Sequence, residues 1–157
     1  MKKTLGLLAV AVCTHATAYE LDPIIYSSKT ETKASELTSS VTVIDAKEIT
    51  EGGNARVTDV LKNVSGIEVS ETGVITGQTS VFIRGGEGRH TVIMVDGVKV
   101  YDPTTITRTM DASYLNLVDI EKIEVLKGPE SVLYGSDAIA GVVNIIAKKG
   151  SAKNKVK

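Results

Sequence analysis

The residues best placed to do chemistry sit in a few short stretches. The first is Gly85–Gly86–Glu87–Gly88–Arg89–His90. A glycine-rich loop cradles phosphate when a Lys-Ser/Thr pair follows it, and binds a dinucleotide when spaced glycines open a helix. No such pair follows Gly88, and the next residues, TVIMV at 91–95, form an apolar, β-prone run. The cluster therefore reads as a loop between two paired strands, with Arg89 and His90 at its tip.

Catalysis by these residues finds little support. A Ser-His-Asp arrangement would have to use His90, at a loop tip with no orienting acid evident. The usual zinc sets need several thiolates or imidazoles, and the chain has one cysteine and two histidines. Loop carboxylates at Glu71, Asp102 and Asp111 leave a calcium site open, although dispersed acids are more often solvated. The expectation is no enzyme, no cofactor and no metal site. Arg84 and Lys127 each end an apolar run just before a glycine, and Glu124 lies inside the second run. By charge alone these are surface groups or a weak ion pair, worth under about 1 kcal/mol.

The elements that must position these residues begin after a leader. Lys2 and Lys3, the nine apolar residues LGLLAVAVC at 5–13, and Ala16-Thr17-Ala18 make a secretory signal peptide, 1–18. Nine residues are too few to cross a bilayer of about 30 Å. Cleavage after Ala18 takes Cys13, His15, Lys2 and Lys3 away, leaving 139 of 157 residues and moving the formal charge from −1 to −3. A near-balanced, slightly acidic chain with one Phe and no Trp argues against a nucleic-acid partner. Residues 19–35 are polar apart from Ile24-Ile25-Tyr26 behind Pro23, and read as an extended leader whose apolar knot has no local strand partner.

From residue 36 the pattern is that of a small α+β domain. SVTVID at 40–45 alternates as a strand, and Asp45 with Glu48 opens a helical turn. Asn54 is the expected N-cap of a helix of about ten residues, with Val57, Val60, Leu61 and Val64 on one stripe and Gly66 as its stop. IEVS, SVFIR, TVIMV, VKV, IEKIEVLK and GVVNIIAKK read as strands, with Asp96-Gly97 as a two-residue hairpin turn and ESVLYGS as a short helical turn. Segments 70–79 and 101–113 read as long loops, which are uncommon unless functional or disordered. The expected fold is a small mixed β-sheet with two or three short helices and long apical loops.

VLKNVSGIEV, VFIRGGEGRHTVIMVDGV and IEKIEVLKGPESVLYGSDAIAGVVNII together resemble the plug domain of TonB-dependent outer-membrane receptors. Each motif is weak, but they occur in the family's order: Gly66, Ile83-Arg84-Gly85, Asp96-Gly97, Lys127-Gly128-Pro129, Tyr134-Gly135, Gly141 and Asn144-Ile145-Ile146. The resemblance spans roughly residues 36–149. The stretch Asp22-Pro23-Ile24-Ile25-Tyr26-Ser27-Ser28 resembles a TonB box, which implies TonB as a partner. The mature N-terminus is similar in layout to cobalamin receptors, which does not fix a ligand.

The resemblance implies a plug inside a β-barrel that imports a scarce nutrient such as a siderophore-iron chelate or cobalamin. It puts Thr76, Gln78, Glu87, Arg89, His90, Tyr101 and Arg108 on ligand-facing loops, and Arg84 and Lys127 against the barrel. Where the family often has a second arginine this chain has Lys127, a point charge in place of a bidentate fork. Transmembrane strands need about 9–11 residues flanked by aromatic girdles, and residues 150–157 (GSAKNKVK) are a polar tail where such a barrel would begin. The expected placement is the outer membrane if a barrel is joined, with a truncated or split receptor as the reading. A free periplasmic protein that binds a small ligand or TonB is the alternative.

Overall fold

The computed structural model describes residues 24–25, 32–33, 39–73 and 77–149, the first four by their backbone. Among these residues nine strands and three short helices follow one another: β1 Ile24–Ile25, β2 Thr32–Lys33, β3 Ser40–Asp45, α1 Ala46–Glu51, α2 Val57–Lys62, β4 Ile67–Glu71, β5 Thr79–Ile83, β6 Thr91–Val95, β7 Val98–Val100, β8 Ile120–Lys127, α3 Ser131–Tyr134 and β9 Gly141–Ala147. The expected mixed α+β architecture is what forms.

The main sheet has the order β3-β8-β9-β6-β7. Only β6 and β9 run parallel; the other neighbours are antiparallel. Strand β9 sits at the centre. Residues 141–146 are buried on both faces, which explains why GVVNII shows no polar alternation. Strand β8 does alternate: Ile123 and Val125 face one core cluster and Leu126 faces another.

The larger cluster lies between the sheet and a layer made by α1, α2 and the β4–β5 hairpin. Ile49, Val57, Val60, Leu61, Val64, Val81 and Ile83 pack there against Ile44, Ile93, Ile123, Val125, Val143 and Ile145. Each fully buried side chain of this size contributes about 1.5–3 kcal/mol. The opposite face carries Val92, Met94, Leu126, Val142 and Ala138, with Val41, Val43 and Tyr134 beside them.

That second face also holds a charged pair. Glu124 is fully buried, with Lys122 Nζ 2.8 Å from its Oε1 and Asn144 Nδ2 donating to its Oε2 at 3.4 Å. Asn144 Oδ1 in turn accepts from Gly97 N at 3.1 Å. Glu124 therefore belongs to the interior, and the surface reading of this acid is corrected. The pattern gave no warning, because Glu124 occupies an ordinary alternating position on a strand whose two faces both happen to be covered.

Several local expectations are met by visible chemistry. Asp45 Oδ1 accepts from Lys47 N and Glu48 N and so caps α1. Asp96 and Gly97 take φ of +49° and +79°, the double left-handed turn that an Asp-Gly pair permits. Asp96 is further fixed to the central strand, with its N donating to Ile145 O and its Oδ1 accepting from Ala147 N, both at 2.8 Å.

Others are corrected. Helix α2 has six residues and not about ten. It starts after Arg56, not Asn54, because Asp59 Oδ2 accepts from Arg56 N at 3.1 Å and Leu115 O accepts from Val57 N at 3.3 Å. The stripe nonetheless extends to Val64, which is buried beyond the helix end. Gly66, at φ +80°, does not cap α2; it turns the chain into β4, and its carbonyl accepts from Arg84 N at 2.8 Å. Segment 70–79 is shorter as a loop than expected, since Ser70↔Ser80 and Glu71↔Thr79 are paired in the β4–β5 hairpin. Ile24 and Ile25 do have a local strand partner, with registers Ile24↔Lys33 and Ile25↔Thr32; a partner strand of only two polar residues leaves no pattern in an otherwise polar, extended leader.

Candidate functional site

The ligand-facing residues expected from sequence come from three separate loops. The β5–β6 connection carries Glu87, Arg89 and His90, and its last three residues form a 3₁₀ turn. The 101–111 segment carries Tyr101 and Arg108, and Gln78 ends the β4–β5 loop. Thr76 lies outside the described residues.

Tertiary packing brings most of these together in two adjoining hollows. One, of about 310 Å³, is lined by Gln78, Ser80, Phe82, Glu87, Gly88, Arg89, Thr107 and Thr109. The other, of about 140 Å³, is lined by Arg89, Thr91–Ile93, Lys99–Tyr101, Thr107–Met110 and Asp137. Arg89, Thr107 and Thr109 are shared by both. His90 lines neither; it works through its backbone, its N donating to Glu87 O at 2.8 Å and its carbonyl accepting from Ala140 N at 2.9 Å.

Charge in this region is mostly paired. Arg89 Nη2 lies 2.6 Å from Glu87 Oε2, and Lys99 Nζ pairs with Asp137 Oδ2. The Lys99 hydrogen bond, with the Lys99 and Arg108 charges and Ser136, outweighs burial and holds the Asp137 carboxyl below the ordinary aspartate value. Arg108 has its guanidinium carbon 5.9 Å from the Tyr101 ring centroid, a cation–π approach.

The loop itself is tied down by two aspartates. Asp102 accepts from Thr104 Oγ1 at 2.6 Å and Thr104 N at 2.8 Å, and these bonds lower its pKa. Asp111 Oδ1 accepts from Thr79 N and Ser113 N at 3.0 Å. Burial pushes the Asp111 pKa up, but these hydrogen bonds bring it below the ordinary value. Glu71 is bound elsewhere, 2.6 Å from Lys62. The three acids weighed for calcium are thus engaged separately, and among the described residues no group of three or more His, Cys, Asp or Glu gathers to hold a metal ion.

Arg84 and Lys127 do converge, although they are 43 positions apart in the chain. A Cβ built on Gly66 would lie 3.7 Å from Arg84 Cγ and 3.9 Å from Lys127 Cδ. Arg84 is exposed and takes φ +50°, whereas Lys127 is buried and donates to Ser65 O at 3.1 Å. The first is free to reach outward, and the second is committed to its own fold. Of the TonB-box residues, Ile24 and Ile25 form β1, while Asp22, Pro23, Tyr26, Ser27 and Ser28 lie outside the described residues.

Sequence reasoning missed Thr91, Lys99, Thr107, Thr109 and Asp137 as lining residues. No spacing rule relates Lys99 to Asp137, and Thr91 reads only as the first residue of a strand. The long, threonine-rich 101–113 segment was the one available signal.

Comparison with known proteins bears on the whole arrangement. Residues 33–142 match the TonB-dependent receptor plug domain. The vitamin B12 transporter BtuB of Vibrio vulnificus (strain CMCP6) is 40% identical over 123 residues, which are 78% of this chain and 20% of that protein, so the chain spans about a fifth of that relative's length. The siderophore receptor PirA from Pseudomonas aeruginosa is 29% identical with a TM-score of 0.53, over 74% of this chain and 20% of that one. The siderophore receptor PiuA from Acinetobacter baumannii shares the fold at a TM-score of 0.66 and 23% identity, over 85% of this chain and 18% of that one. The family match covers well over half of the sequence and takes in the three helices, the loop cluster just described and every strand of the main sheet up to the start of β9: this chain belongs to the plug domain family of TonB-dependent receptors.

Proposed function

We propose that this chain is the plug of a TonB-dependent receptor that takes up a scarce nutrient, a siderophore-bound metal or a cobalamin, across the outer membrane together with a β-barrel. The observation that carries this reading is the family match over residues 33–142, joined to a relative named as a vitamin B12 transporter. In this reading residues 1–18 direct export, 19–35 form the leader with the TonB box, 36–149 are the plug and 150–157 lead toward the barrel. The loop hollows bearing Gln78, Glu87, Arg89, Tyr101 and Arg108 face the nutrient, and Arg84 reaches toward the barrel.

Energy coupling would act through Ile24–Ile25. Among the described residues β1 pairs with β2 alone, and a strand paired on one edge can take a further strand on the other, the mode in which main-chain hydrogen bonds supply affinity. An ordering cost for the leader keeps affinity modest, on the order of micromolar. The test is binding of a peptide spanning residues 19–37 to the periplasmic C-terminal domain of TonB. Ile25→Pro removes a donor and should abolish binding, and Ile25→Val should be almost silent. Equal binding by wild type and Ile25→Pro sinks the TonB-box assignment.

A further inference from the structure

We propose that the smaller hollow, between β6, β7 and the 101–110 segment, is a seat for one small anionic group of the ligand, a carboxylate or a phosphate. The inference rests on the reading of these loops as ligand-facing, and goes beyond it by naming the chemistry they select.

Thr91 supplies the first reason. It lines the hollow, and its Oγ1 is buried without a hydrogen-bond partner. A buried hydroxyl left unsatisfied is costly, and such a group in a native fold calls for a partner from outside the chain. The hydroxyl is closed to solvent in this rotamer, so a turn about χ1 toward the hollow is what offers its proton to an oxyanion.

Charge supplies the second. Arg89, Lys99 and Arg108 line the hollow against a single carboxylate, Asp137. Lys99 is committed to Asp137, and Arg89 to Glu87 in the adjoining hollow. Among the described residues Arg108 has no carboxylate at ion-pair distance; the Tyr101 ring positions its guanidinium without neutralising it. Counting both acids, one positive charge remains over, and it is on Arg108. A cationic group would be repelled by that charge. A guanidinium and a hydroxyl together suit an oxyanion, which accepts charge-assisted hydrogen bonds from both.

Size sets the scale. A volume of about 140 Å³ is close to the roughly 150 Å³ of a cavity that takes up a single benzene. It admits a carboxylate or phosphate with its nearest water, and excludes a whole metal chelate or corrin. The hollow thus reads one substituent of a larger ligand.

The experiment is an NMR titration of the mature chain, amides observed, with sodium acetate, inorganic phosphate and, as cationic control, methylammonium chloride, at matched ionic strength. Saturable shifts at Arg89, Thr91, Tyr101 and Arg108 are expected with an anion and not with methylammonium, with a Kd on the order of 1–10 mM. Acetate and phosphate arms separate a carboxylate seat from a phosphate seat. Arg108→Gln and Thr91→Val should each weaken the site about five-fold or more, whereas Thr91→Ser restores it. Resonances of β8 and β9 report that each variant is folded; Arg108 is exposed, so Arg108→Gln tests the seat even if Thr91→Val unfolds. No saturation with either anion, the same shifts with methylammonium, or an Arg108→Gln variant that binds as tightly as wild type overturns the proposal. That failure is separable from failure of the uptake reading: Gln78→Ala or Glu87→Ala in the barrel-bearing receptor would still reduce nutrient binding if the loops face the ligand without an anion seat.

Discussion

Gly141 opens the central strand, and Gly141→Ala should be among the most damaging single-methyl changes in the chain. The added Cβ would lie 2.3 Å from Leu126 O and 2.9 Å from Ile83 Cδ1, inside the 3.0 Å that real Cβ atoms respect. Leu126 O is backbone of β8, held in the β8–β9 ladder by the Leu126↔Val142 and Lys127↔Gly141 registers, so it cannot swing aside as a side chain would. Relief requires β9 to lift from β8 at this end. Two ladder hydrogen bonds lost at about 1 kcal/mol each, with about 1–3 kcal/mol for crowding Ile83, give about 3–5 kcal/mol. Against a total of about 5–15 kcal/mol for a domain, this lowers Tm by roughly 10–20 °C in a folded unit of this size. Gly97→Ala is the control. At φ +79° with nothing within 4 Å of its Cβ, it meets only the left-handed backbone cost, about 1 kcal/mol. The assay is urea unfolding of the mature chain followed by circular dichroism, with m compared across variants. A Gly141→Ala loss below about 1 kcal/mol, or no greater than that of Gly97→Ala, refutes the close packing of β9 between β8 and Ile83.

Three further outcomes are expected. Because hydrogen bonds lower the folded pKa of Asp111 below the ordinary 3.8, its contribution is present above that value and is lost as pH falls through the folded one. Asp111→Asn should therefore cost about 1–2 kcal/mol near pH 6, and the deficit should shrink as pH is lowered below 3.8; a deficit that does not change with pH argues against the assignment. Glu124→Gln should cost about 2 kcal/mol, toward the low side for a buried pair because Lys122, 14% exposed, can reach water, while Lys122→Met with Glu124→Leu should return to within about 1 kcal/mol of wild type. A double variant as unstable as Glu124→Gln means that the pair stabilises the fold outright. Export should yield a product whose N-terminal sequence starts at Tyr19; one that retains Met1 in the membrane fraction rules out the signal peptide.

Local codes carried much of this protein. The Asp-Gly pair at 96–97 forces a double left-handed turn wherever it sits between strands, and Asp45 caps α1 through its own side chain, so both were legible from neighbouring residues alone. The apolar stripe Val57, Val60, Leu61 and Val64 marked a buried helical face, and the ordered set of motifs from Gly66 to Ile146 marked the plug family. What depended on distant partners was not legible. The start of α2 is set by Leu115 O, more than fifty residues away, and no propensity at Asn54 competes with that bond. The burial of Glu124 depends on Lys122 and Asn144 meeting it on a covered sheet face. The hollow that joins Arg89, Lys99, Arg108 and Asp137 exists because β6 lies parallel to β9 at the sheet's centre, which carries the loops before β6 and β9 to the same end. Sequence spacing reports periodicity within an element; which loops share an end of the sheet is decided by strand order, and strand order is settled only when the whole core closes.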